Sequence, residues 1–201
     1  MSNRKELVVI LDPAHGEETP GKRSPDGKFR EYKWSRELII QIGDILDDNG
    51  FRVMSSNASN KEIGLSNRAA MANGIEGSRK VLISLHSNAA GNGAEWMNAR
   101  GFSVYTTKGD TKSDDVAEEL MTNFKLDFPE LKARTDMSDK DMDIEENFTV
   151  IFKAKCPAVL IEWLFQDNKE DVSILQNKEY NDRLANSIAK SIINLYNKNI
   201  I

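Results

Sequence analysis

The sequence predicts an α/β fold, a twisted and mostly parallel sheet with helices on both faces. Short apolar runs of strand length alternate with segments whose apolar residues recur at helical spacing, the pattern of successive βα units. The length of 201 residues and a hydrophobic share of 39% suit one domain that buries a full core without disulfides. No repeat or linker interrupts the pattern, so residues 1–201 are expected to form that single domain.

The first strand is expected over residues 7–11, a run of Leu, Val and Ile. A loop carrying Gly16, Pro20, Gly21, Pro25 and Gly27 follows, and it is too long for a simple connection, which marks it as functional. A helix begins near Glu31, because Trp34, Leu38, Ile42 and Ile45 recur at helical spacing and Gly50 supplies a stop. Residues 51–54 read as the next strand, and Leu65, Ala69 and Ala72 mark a second helix. A buried central strand is expected over 81–85 and another strand over 101–106, before a third helix marked by Val116, Leu120 and Phe124.

Residues 136–147 are crowded with acidic side chains. Asp139, Asp141 and Asp143 alternate as in a calcium loop, but the central Gly and the acidic twelfth position of an EF-hand are missing, so the segment reads as a solvated loop. Beyond it come strands over 148–152 and 158–162, then a C-terminal helix with Leu184, Ile188, Ile192 and Leu195 on one face.

Composition excludes some functions. A net charge of -5 gives no overall attraction to nucleic acid, and no such partner is expected. No apolar stretch approaches the ~20 residues that span a bilayer, and the run before Asp12 is too short for a signal-peptide core. Neither membrane insertion nor a leader is therefore expected. The only cysteine, Cys156, excludes an intrachain disulfide and reads as a buried core thiol.

Three apolar runs lead to a residue able to bind metal or move a proton: 7–11 to His15, 81–85 to His86, and 159–161 to Glu162. Ligands of open α/β sheets bind outside the carboxyl ends of the strands, so these residues are expected at one edge, which is the expected active site. Both histidines of the chain fall at such ends. Two imidazoles and one carboxylate, with a fourth position left to water, form a catalytic zinc arrangement, and a second carboxylate is needed as base. Asp12, Glu17, Glu18, Glu31 and Glu162 all lie in the relevant segments, and spacing does not divide ligand from base. Asp12 and Asn88 read either as partners that orient the histidines or as local turn formers.

The segments Asp12-Pro13-Ala14-His15-Gly16, Glu31 at a helix start, Ser84-Leu85-His86-Ser87-Asn88-Ala89 and Pro157-Ala158-Val159-Leu160-Ile161-Glu162 resemble, in order, the signatures of the zinc-dependent N-acetylmuramoyl-L-alanine amidases. That family includes autolysins, cell-division amidases and phage lysins. Weaker echoes are Arg68 with Ala72-Asn73, residues 101–105, and Asn168 with Asp171 and Leu175, so the resemblance covers nearly the whole chain. It implies that His15, Glu31 and His86 hold Zn2+, that Glu162 is the catalytic carboxylate, and that the substrate is the amide joining sugar to peptide stem in peptidoglycan. Ala14 and Glu17 stand where the family usually has Gly, and the segment after Phe51 lacks its usual Thr-Arg pair; none of these is an implied ligand. A zinc peptidase or deacylase acting on another amide, and a wall-binding module without catalysis, are the competing readings. The implied place of action is the cell wall, reached either by phage-lysin-like release from the cytoplasm or by secretion with a leader absent here. Nothing in the sequence reads on oligomeric state.

Overall fold

The computed structural model describes residues 4–138 and 140–201, so Asp139 of the acidic segment lies outside the described residues. Its strands are β1 (Leu7–Pro13), β2 (Arg52–Ser55), β3 (Arg79–Asn88), β4 (Ser103–Thr106), β5 (Ile144–Glu145) and β6 (Ala158–Phe165). They form one sheet in the order β2-β1-β3-β6-β4-β5. The β4–β6 pair is antiparallel and the other pairs are parallel. The helices are α1 (Glu31–Asp48), α2 (Leu65–Gly74), α3 (Lys112–Asp127), α4 (Thr149–Phe152), α5 (Lys169–Leu175) and α6 (Lys178–Asn197).

Strand alternation divides the core in two. On β1, Leu7, Val9 and Leu11 join the apolar residues of α1, α3 and α6, whereas Val8 and Ile10 join those of α2 and α4. Helices thus cover both faces, as the sequence predicts. The central strands are buried along almost their whole length because each has a helix layer on either side. Helix α3 starts with a capping box, in which the Thr111 side chain accepts from Ser113 N–H and the Asp114 carboxylate accepts from Thr111 N–H. Helix α1 stops at Asn49, and Gly50 leaves it with φ +83°, a conformation that needs no Cβ.

The structure departs from these expectations in several places. Residues 148–152 form no strand; Val150 and Ile151 are both buried while Phe152 is exposed, a helical rather than an alternating pattern, and α4 results. An apolar run this short cannot be assigned by periodicity. Helix α5 was not foreseen; the Asn168 side chain starts it by accepting from Glu170 N–H and Asp171 N–H. The acidic segment is not wholly solvated, since Asp143 is buried beside β4 and accepts a 2.5 Å hydrogen bond from Thr106. Cys156 is half-buried rather than a core thiol, and the burial it has raises its pKa. Strands β3 and β6 also run further than expected, so that His86 lies inside β3 rather than just beyond it and β6 continues three residues past Glu162.

Candidate active site

Strand alternation places Asp12 on the same face of β1 as Val8 and Ile10, toward α2. There it is fully buried, with Arg68 Nε 2.9 Å from Oδ1 and Arg68 Nη2 2.5 Å from Oδ2. Ser84 Oγ donates to Oδ2 at 2.6 Å, and Ser56 donates to Oδ1. Arg68 also donates to the Pro13 carbonyl at 2.6 Å. Asp12 therefore does not orient a histidine directly; it ties the end of β1 to β3, to α2 and to the segment after β2.

His15 follows three residues after Asp12 with φ +46°, a left-handed backbone that a non-glycine residue seldom adopts unless its surroundings impose it. Arg36 of α1 imposes it in part, donating to Ala14 O at 2.9 Å and to His15 O at 2.8 Å. Gly16 is required by close approach rather than by its φ, because a Cβ there would lie 2.0 Å from Glu62 N. The Ala14 methyl is accommodated, fully buried.

His86 and Glu162 occupy opposed positions on the parallel strands β3 and β6, next to a register shift after His86. Glu31, the first residue of α1, is fully buried between them and the loop after β1. Its Oε1 lies 3.1 Å from His86 Nδ1 and 3.6 Å from His15 Nε2, and accepts from Ser87 N–H at 3.1 Å. Its Oε2 accepts from Gln166 Nε2 at 3.1 Å. His15, Glu31 and His86 each offer an atom within 4.8 Å of the others, so the structure brings together the three residues expected to hold metal. The two imidazoles meet edge to face with centroids 4.9 Å apart.

Burial lowers both His15 and His86 to a pKa of about 3, so both are neutral, with lone pairs available, at ordinary pH. His86 Nε2 is buried without a hydrogen-bond partner. A neutral donor pair, one of them with an orphaned nitrogen, beside a buried carboxylate fits a zinc ion. Glu162 is raised well above the usual carboxylate range, first by burial and then by the negative charge of Glu31, and its Oε2 has no hydrogen-bond partner.

The remaining candidates lie elsewhere. Glu17 and Glu18 are exposed, and Glu18 Oε1 accepts from Glu62 N–H. The Asn88 side chain accepts from Ala89 N–H at 2.8 Å, which makes it the turn former. Sequence reasoning missed Gln166 and Ser87 on Glu31, Arg36 on the His15 carbonyl, and Glu62, whose Oε2 lies 3.8 Å from His15 Nδ1. Arg68 carried a legible signal, a charged residue in line with the buried Ala69 and Ala72 of α2.

The family model described as N-acetylmuramoyl-L-alanine amidase matches residues 9–194. The N-acetylmuramoyl-L-alanine amidase AmiC of Neisseria meningitidis serogroup B is 25% identical over 99% of this chain and 55% of its own length. The amidase LytC of Bacillus subtilis is 24% identical over 94% of this chain and 35% of its own. The chain thus spans about half, or less, of these relatives' length. The crystal structure of an N-acetylmuramoyl-L-alanine amidase from Clostridium difficile 630 superposes with a TM-score of 0.78 at 26% identity, covering 98% of each chain.

Proposed function

The chain belongs to the N-acetylmuramoyl-L-alanine amidase family, and from that premise we propose that it hydrolyses the amide between N-acetylmuramic acid and L-alanine in peptidoglycan, with zinc held by His15, Glu31 and His86. The observation that carries this reading is the meeting of two neutral imidazoles, His86 buried and His15 partly so, and a buried carboxylate at the carboxyl edge of the sheet, with Glu162 on the strand beside His86. When bound, zinc supplies a Lewis acid that polarises an amide carbonyl and makes water acidic near neutral pH.

The chain's own residues do the rest. Glu31, held at both oxygens by N–H donors, presents Oε1 toward the histidines. Glu162, whose environment raises its affinity for a proton, accepts one from the attacking water. As the bond between carbonyl carbon and nitrogen breaks, Glu162 returns that proton to the alanine nitrogen. The products are a lactyl carboxylate and a free amino terminus. His15 and His86 stay neutral throughout and donate lone pairs only.

Digestion of purified peptidoglycan tests the proposal. New alanine amino termini on stem peptides of unchanged length, lost on chelation and restored by zinc, are the expected result. Stem peptides cut internally would instead support a peptidase, and a protein that sediments with walls without cutting them would be a binding module.

A further inference from the structure

Gln166 is fully buried just after β6, fixed by a 2.8 Å bond from its own N–H to the Asn88 carbonyl. Its side-chain Nε2 lies 3.1 Å from Glu31 Oε2 and 3.5 Å from the Ser87 carbonyl, both acceptors. The amide can sit only one way round, because turning it over would set its oxygen against a carboxylate and a carbonyl. Glu31 needs such a donor. Among the described residues no lysine or arginine pairs with this fully buried carboxylate, whose ion-pair distances run only to the two histidines, both neutral at ordinary pH.

We propose that Gln166 is a positioning residue for metal binding: its amide N–H takes Glu31 Oε2 and so leaves Oε1 facing His15 and His86. The proposal rests on Glu31 being a ligand. The terminal torsion of a glutamate is broad, so without a bond at Oε2 the carboxylate can rotate away from the histidines. Ser87 N–H alone holds only Oε1, the oxygen the metal would take. Partners that orient a metal ligand are worth about 10–100-fold in metal affinity.

The test is zinc affinity of the full chain, read by competition with a chromophoric chelator, for Gln166→Met, which keeps the length and removes the donor. The expected result is about 10–100-fold weaker zinc binding and no further weakening when the same change is made in a Glu31→Gln background. A Gln166→Met protein that binds zinc as tightly as the parent overturns the proposal. So does a loss that persists undiminished in the Glu31→Gln background, since it would be a packing effect not transmitted through Glu31. Where Gln166→Met does not fold, Gln166→Asn, which withdraws the amide by one methylene, is read in the same cycle. If Glu31→Gln itself binds zinc like the parent, the ligand assignment fails and the proposal fails with it; failure of the Gln166 variants alone leaves that assignment standing.

Discussion

The two glutamates of the site differ in what surrounds them, and substitution separates their roles. Glu31 is held by N–H donors at both oxygens, whereas Glu162 Oε2 has no partner and its carboxyl is pushed toward the protonated form. Glu162→Gln should therefore retain zinc while turnover of peptidoglycan falls by about 10²–10⁴-fold, the usual worth of a general base. His86→Ala should lose zinc and activity together; metal analysis beside the digestion assay checks both, and full zinc content in an inactive His86→Ala would be the wrong result. The histidines also set a pH dependence for the metal-free protein. Their folded pKa of about 3 lies below the unfolded value of 6.5, so the unfolded chain binds the extra protons and stability drains away as pH falls from about 6.5 to 3. Glu162, raised, acts in the opposite sense between its unfolded value of 4.5 and its higher folded one, but one carboxyl does not outweigh two imidazoles. Chemical denaturation across that range should show a shallower acid slope for His86→Gln than for the parent. The histidines were legible in sequence because the chain has only two and both follow apolar runs. Gln166 was not, because it meets Glu31 from 135 positions away and no local pattern encodes that meeting.

At the scale of elements, the strands that carry the site were readable from their apolar runs, but their ends were not. Residues 86–88 of β3 and 163–165 of β6 lie past the expected ends and stay in the sheet through register with each other's strand, which only the paired strands reveal. The same limit explains α4, where the choice between strand and helix fell to tertiary packing against α2 and the sheet. What fixes the site end of β1 is the buried Asp12–Arg68 pair, and removing one member leaves the other's charge at 0% exposure without an opposite charge. Asp12→Ala should cost about 3–5 kcal/mol in urea unfolding and weaken zinc binding as the His15 loop loosens. Gly16→Ala should act through sterics instead, destabilising by about 1–3 kcal/mol because its methyl would meet the Glu62 backbone. A Gly16→Ala protein as stable as the parent would mean that the two loops separate at little cost.

For the molecule as a whole, the proposed zinc ligands come from a loop, a helix start and a strand that adjoin only in the folded chain. An ion that binds the native state alone adds about 2.7 kcal/mol at a free concentration one hundred times its Kd. Melting in zinc against melting in chelator should show that gain for the parent and its absence in His86→Ala. The central pairing of β1 with β3, Asp12 opposite Ser84, bears also on how the protein is made. Parallel neighbours this far apart in sequence meet late, after a long and entropically costly loop has closed. His15 and His86 are thus strangers in the nascent chain, and the metal has no site to enter until the sheet centre exists. Zinc should accordingly leave the refolding rate of denatured protein almost unchanged while slowing its unfolding, so that the ion acts as a lock fitted to a finished frame and not as the template around which the frame is raised.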